Sequence, residues 1–257
     1  MSFQPLDKIN IEYLELVVTT KCTLKCKDCA NLIPLYKNPY SIEFNVIKES
    51  LLILLENVES IEKFRILGGE PFLYDDLDKV INLTLKEDKI KKVEIVTNGT
   101  IYPKNMKLIE TMINEKIKVV ISDYGDLSKN KDKLLQMKKK YGINAELLKI
   151  DYWLDYSKIH CRNRSESDLQ QQYTRCNHQC MSLFNGVLYE CPRCGHGMDL
   201  GIIEKKENEY INLLDDNADN IGEKLIKTFS GNKKFISACN YCDVERNIKK
   251  ILVALQL

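Results

Sequence analysis

The chain has 257 residues, 44% of them hydrophobic, enough to bury a full core in one large domain or in one large and one small. Its 38 lysines and arginines nearly balance 37 aspartates and glutamates, and the mixed-charge blocks Lys129 to Lys140 and Glu204 to Glu209 read as solvated surface, which argues against a nucleic-acid partner. The N-terminal MSFQPLDKIN has no apolar signal core and no apolar run approaches a membrane span, so a soluble cytoplasmic protein with no membrane partner is expected.

Leu14 to Thr20 is short, apolar and β-branched, and predicts a buried strand. The segment KCTLKCKDCAN follows directly, with Cys22, Cys26 and Cys29 at the spacing Cx3Cx2C. Three thiolates so close together can hold one face of an iron–sulfur cube and leave its fourth iron without a protein ligand, which a zinc site of four protein ligands does not do. A zinc half-site or three free thiols are the plainer alternatives.

Ser41 is placed to cap a helix whose apolar face is Ile42, Val46, Ile47, Leu51, Leu54 and Leu55. Lys63 to Leu67 predict a strand ending in Gly68-Gly69-Glu70-Pro71, Asp75 begins a second helix, and Val93 to Thr97 predict a strand ending in Asn98-Gly99. A helix at Asn105 to Lys116, a strand at Ile117 to Ser122, a helix at Ser128 to Tyr141 and a strand at Ala145 to Ile150 continue the alternation. The fold class is therefore α/β, a partial (β/α)6 TIM-like barrel over residues 1–155. Function in such a sheet sits at the carboxyl ends of the strands, where Cys22, Gly68, Asn98, Ser122 and Trp153 fall.

Residues 156–257 predict a small second domain. A polar connector, Ser157 to Gln172, leads to Cys176 and Cys180, and Asn185-Gly186 between apolar runs signals a two-residue hairpin turn. Counting outward pairs Phe184 with Val187, Leu183 with Leu188, Ser182 with Tyr189, Met181 with Glu190 and Cys180 with Cys191. Cys239 and Cys242 offer two further thiols, and Val244 to Leu255 predicts a closing amphipathic helix. Ten cysteines in a cytosolic chain point to metal or redox chemistry rather than disulfides. Hairpin geometry favours Cys180, Cys191, Cys239 and Cys242 as one ligand set, while Cys191-x2-Cys194 with Cys239-x2-Cys242 would make a closed zinc site. His178 and His196 are loop histidines of the kind that seldom ligate. Of the six arginines, Arg162, Arg164, Arg175 and Arg193 lie about the connector and the hairpin and suit a carboxylate or phosphate. Trp153 and Asp155 are placed as a substrate-cavity wall and a polar contact.

The cysteine triplet after a strand, the GGEP turn after a second and Thr97-Asn98-Gly99 after a third together resemble the radical S-adenosylmethionine (SAM) superfamily. The resemblance implies a [4Fe-4S] cluster on Cys22, Cys26 and Cys29, SAM chelated to its open iron, and reductive cleavage to a 5′-deoxyadenosyl radical that takes a substrate hydrogen. It further implies that Gly68, Gly69 and Glu70 receive the SAM amino group, that Ser122 meets its ribose, and that Asn98 and Asp123 also bind the cofactor; for the last two, ordinary turn chemistry is the alternative. Asp28 stands where the family usually has an aromatic residue. The later segment, through Cys176-x9-Gly186-x4-Cys191 and a following Cx2C, resembles the twitch form of the SPASM domain, which implies one auxiliary iron–sulfur cluster held from among Cys176, Cys180, Cys191, Cys239 and Cys242. The domain plan is similar to that of dehydrogenases of the 2-deoxy-scyllo-inosamine type. The expected activity is a two-electron oxidation of a small molecule of sugar, cyclitol or amino-acid type, served by a flavodoxin- or ferredoxin-type reductant. Alternatives are a maturase that crosslinks or epimerises a peptide, its recognition module a separate protein because about a dozen residues precede the first strand, and a non-catalytic electron carrier or zinc-stabilised binding protein.

Overall fold

The computed structural model describes residues 8–156, 158–176, 180–215, 220–229, 234–243 and 249–257. Strands β1 (Ile9–Val17), β2 (Val58–Leu67), β3 (Ile90–Thr97), β4 (Ile117–Asp123) and β5 (Ala145–Lys149) lie in parallel, joined by helices α1 (Phe44–Asn57), α2 (Leu77–Leu85), α3 (Met106–Thr111) and α4 (Lys131–Tyr141). A two-residue strand, β6 (Trp153–Leu154), then leaves the sheet, and α5 (Glu166–Arg175) leads to β7 (Met181–Phe184), which returns in parallel to the free edge of β1. Strands β8 (Val187–Tyr189) and β9 (Tyr210–Asn212) add antiparallel beyond it, with α6 (Pro192–Asp199) between them and α7 (Ile221–Phe229) after. The order β5-β4-β3-β2-β1-β7-β8-β9 leaves both edges of the sheet open, so among the described residues the fold is a partial barrel, not a closed one. No helix among those residues is long and apolar enough to cross a membrane.

Strand alternation divides the sheet into two unlike faces. Leu14, Leu16, Phe64, Ile66, Val93, Ile95, Val119 and Ile121 point to the helix-covered face and are all 0–1% exposed. Burying each contributes roughly 1.5–3 kcal/mol. The opposite, concave face carries a row of alternating charge, Glu15, Arg65, Glu94 and Lys118, in direct register on neighbouring strands. Arg65 Nε lies 2.6 Å from Glu94 Oε2, and Lys118 Nζ lies 2.5 Å from Glu146 Oε2 on β5.

The hairpin forms as its turn chemistry requires. Asn185 and Gly186 both have positive φ (49° and 79°), and the pairs Ser182:Tyr189, Leu183:Leu188 and Phe184:Val187 are those counted from the sequence. The ladder stops there, because Cys191 is the N-cap of α6. The division at residue 155 does not coincide with a break in the sheet, since β7 pairs with β1.

Other expectations are corrected. Ser41 does not cap α1, which starts after Glu43, because its hydroxyl is engaged with Thr19 Oγ1 at 3.0 Å. Ser128 likewise starts no helix: its hydroxyl donates to Asn98 O and Ser122 O at the strand ends. The polar connector contains α5, whose N-cap Ser165 accepts from Asp168 N. The closing helix at Val244 to Leu255 lies partly outside the described residues, and 249–255 are not helical. There β10 (Lys250–Ile251) pairs antiparallel with β6, and its apolar residues follow strand and turn geometry rather than a 3.6-residue period.

Phe64→Ala should lower stability by about 3–5 kcal/mol, read as a lower denaturant midpoint with an unchanged m-value.

Candidate functional site

The GGE turn is built against the cysteine loop. Gly69 N donates to Thr19 O and Glu70 N to Lys21 O, both at 2.8 Å, so the end of β2 is stitched to the chain entering the Cx3Cx2C segment. The approach admits no side chain. A Cβ on Gly68 would sit 2.3 Å from Thr19 O, and one on Gly69 2.1 Å from Lys21 O and 2.9 Å from Cys22 Cβ.

Cys22, Cys26 and Cys29 line a cavity of about 350 Å³ whose wall includes Gly68, Gly69, Asn98 and Ser122 from the ends of β2, β3 and β4. Four of the expected cofactor-contacting residues are thus brought to the thiols. Glu70 and Asp123 do not line this cavity. Glu70 is fully buried, and its carboxylate accepts from Thr97 Oγ1 (2.8 Å), Asn98 N (2.9 Å) and Phe72 N (3.2 Å), bracing β2 against β3. Burial pushes its carboxyl up to about 7, and the three donors pull the other way. Asp123 faces Lys131, 2.6 Å away, and accepts from Gly125 N, because the residue before it, Ser122, takes the inward position on β4.

Burial also raises the thiols, Cys22 to about 11, with Cys26 and Cys29 raised as well. Hydrogen-bond donors oppose this: Leu24 N and Asn98 Nδ2 approach Cys22 Sγ at 3.4 and 3.6 Å, and Gln256 Nε2 approaches Cys26 Sγ at 3.3 Å. Buried thiols with donors aimed at sulfur suit a cationic metal group that displaces their protons. Asp28 lines the cavity, and the aromatic residues there come from later strand ends instead: Tyr124, Tyr152, Trp153 and Tyr156. Tyr124 and Trp153 meet edge to face at 5.6 Å.

A second cavity, of about 560 Å³, is lined by Cys176, Cys180, Cys191, Cys239 and Cys242, the five thiols expected from the sequence, together with Glu15, Glu190 and Arg193. Ala30, Asn31 and Tyr156 line both cavities, so the two spaces adjoin. Desolvation lifts three of them, Cys239 to about 12, with Cys180 raised and Cys191 well above its ordinary value. Cys194 does not line this cavity: it follows the start of α6 and turns into the core with its sulfur 3.9 Å from Met198 Sδ. Cys161 is exposed. Among the described residues no three His, Cys, Asp or Glu side chains converge on a single-ion position. His178 lies outside the described residues. His196 is buried, shares a 2.9 Å hydrogen bond between Nδ1 and the Tyr36 hydroxyl, and is held neutral by desolvation that lowers its pKa to about 3.

Three of the arginines hold the chain around the second cavity. Arg164 donates to the carbonyls of Cys239 (2.6 Å) and Cys242 (2.5 Å) and pairs with Asp243, and Gln172 Nε2 donates to the same two carbonyls. Arg162 Nε meets Asp243 at 2.7 Å, and Arg193 Nε donates to Tyr241 O at 2.9 Å. Sequence reasoning missed this clamp and also Gln256. The surplus of arginine in the second half was the available signal for the clamp; for Gln256 there was none.

A profile described as the Radical SAM superfamily matches residues 16–144. The chain is 28% identical over 127 residues to GTP 3′,8-cyclase of Aquifex aeolicus, covering 45% of this chain and 37% of that one, and 39% identical over 101 residues to GTP 3′,8-cyclase of Clostridium acetobutylicum, covering 38% and 30%. It thus spans about a third of the length of the curated relatives it matches. The solved structure of BtrN in complex with AdoMet and 2-DOIA superposes with a TM-score of 0.51 at 15% identity, covering 98% of this chain and 100% of that one. That likeness is one of fold.

Two substitutions probe the site. Gly69→Ala should displace the cysteine loop and reduce the iron retained after anaerobic reconstitution, read by iron assay against wild type. Arg164→Met, which leaves Asp243 with Arg162 and the two carbonyls with Gln172 as their remaining partners, should cost roughly 1–3 kcal/mol in thermal or denaturant unfolding.

Proposed function

Because the chain belongs to the radical SAM superfamily, we propose that it is an enzyme that couples SAM cleavage in the smaller cavity to oxidation of a small molecule at the boundary with the larger one. Cys22, Cys26 and Cys29 would hold the [4Fe-4S] cluster, with Gly68, Gly69, Asn98 and Ser122 around the space left for SAM. Reduced and loaded with SAM, such a cluster supplies a 5′-deoxyadenosyl radical able to take one hydrogen atom from a substrate. Asp28 cannot stack on adenine, and Tyr124 with Trp153 offer the aromatic surface in its place.

The observation that carries the oxidative reading is the second thiol-lined cavity next to the first, joined through Ala30, Asn31 and Tyr156. A substrate that has lost a hydrogen atom must lose one more electron and a proton to be oxidised by two. Cysteines of the second cavity would hold the iron–sulfur group that takes the electron, and Glu15 and Glu190 are the carboxylates on its wall able to take the proton. Glu15 receives the Tyr13 hydroxyl at 2.7 Å and sits opposite Arg65, and burial raises its pKa. The substrate named for the curated relatives is not carried over, given the third of their length that is matched. A small polar substrate of sugar, cyclitol or amino-acid type fits the polar concave face, and a flavodoxin or ferredoxin would supply the reducing electron.

Iron, sulfide and zinc analysis of anaerobically prepared protein with Cys22, Cys26 and Cys29 all changed to Ala tests this. About four iron atoms per chain should remain in the second cavity. Zinc there, or no metal, would contradict the oxidative reading and favour a redox-neutral reaction such as epimerisation.

A further inference from the structure

The segment 249–257 closes over the cysteine loop from outside. Asp155 N donates to Lys249 O, β10 pairs with β6, and the chain then reaches the Cx3Cx2C segment, where Lys27 N donates to Leu255 O (2.8 Å) and Leu257 N to Lys25 O (2.9 Å), flanking a bridge between Cys26 and Gln256. Ala254, 1% exposed, packs with Leu24 and Cys26 in a small apolar cluster that Trp153 and Tyr124 border. Nothing in the local sequence of residues 21–31 asks for this partner.

Gln256 does more than add a backbone pairing. Its Oε1 accepts from Lys25 N at 2.8 Å, and since a backbone N–H can only donate, the oxygen must face Lys25. The amide nitrogen is thereby directed at Cys26 Sγ (3.3 Å) and Ala254 O (2.5 Å). Two N–H bonds on one nitrogen thus have two acceptors, and one of these is a sulfur of the cysteine triplet. A donor on a ligand sulfur stabilises the more negative, reduced form of an iron–sulfur group over the oxidised one, and hydrogen bonds to the sulfurs are among the determinants of its potential.

We propose that Gln256 is a positioning residue of the SAM-cleaving site, its amide N–H to the Cys26 sulfur raising the reduction potential of the group held by Cys22, Cys26 and Cys29. This rests on the assignment of that group above. The effect is one a purely structural strap would not produce, because it depends on the donor at the sulfur and not on the backbone pairing. Gln256→Glu keeps an acceptor for Lys25 N but sets an anionic oxygen, in place of the donor, toward Cys26 Sγ and Ala254 O, so its charge adds to the loss of the donor. Gln256→Met removes both side-chain bonds.

The test is a redox titration followed by electron paramagnetic resonance on anaerobically reconstituted full-length protein, reading the midpoint of the signal that added SAM perturbs. That perturbation marks the group with an open iron and separates it from any second cluster. Both variants should show a midpoint shifted to lower potential, and Leu252→Ala, an outward position on the same strap, should leave it at the wild-type value. An unchanged midpoint in Gln256→Met, which removes the donor without adding charge, with the SAM-perturbed signal retained would overturn the proposal. So would loss of the cluster from both Gln256 variants with unfolding curves unaltered, which would make Gln256 a requirement for assembly rather than a determinant of potential. Absence of any SAM-perturbed signal in the wild-type protein would instead remove the functional assignment beneath it.

Discussion

The arrangement depends on one close approach, that of the Gly68-Gly69 backbone to the chain entering the cysteine loop. Any side chain at these positions would collide with carbonyl oxygens of Thr19 or Lys21. The approach fixes the loop twice, through Gly69 N to Thr19 O and Glu70 N to Lys21 O. Glu70 then carries the constraint inward: its carboxylate gathers Thr97, Asn98 and Phe72, and Asn98 in turn reaches Cys22. Three strand ends and three thiols are held by one turn, and the cavity between them follows from that geometry.

From this centre the structure extends in two directions. Past the triplet, Tyr36 bonds His196 and Tyr40 donates to Asp199 Oδ2 at 2.8 Å, tying the first cysteine loop to α6, the helix that Cys191 caps. On the sheet, β7 pairs with β1 and so brings the hairpin cysteines to the edge of the strand that launches the triplet. The second cavity therefore lies beside the strand that extends the first sheet. Its Cx2C loop is held by Arg164 and Gln172 through main-chain carbonyls, which leaves the thiols themselves free to face the cavity.

What the sequence revealed was whatever is set by local spacing. The triplet, the GGE turn, the Asn185-Gly186 hairpin with its register and the parallel alternation are written within a few residues each, and the five thiols of the second cavity were found because cysteine is a rare and chemically narrow choice. What it concealed was set by partners far along the chain. Ser41 and Ser128 look like helix caps, yet their hydroxyls are taken by Thr19 and by strand-end carbonyls. Glu70 and Asp123 sit in motif positions, but Glu70 is turned inward by Thr97, Asn98 and Phe72, and on β4 the alternation of faces gives the cavity Ser122 in place of Asp123. The apolar spacing near the C-terminus fitted a helix, whereas pairing with Trp153–Leu154 and with the cysteine loop, some 230 positions earlier, imposed an extended chain.

The central claim is that two adjoining thiol-lined cavities hold two distinct iron–sulfur groups, of which only the first is open to SAM. Mössbauer spectroscopy of iron-57 protein reconstituted anaerobically, with and without SAM, addresses it most directly. The account predicts about eight iron atoms per chain in two cubane clusters, with SAM altering a single iron site of one of them and leaving the other unchanged. A spectrum of one cluster only, or of iron sites that do not respond to SAM, would contradict it.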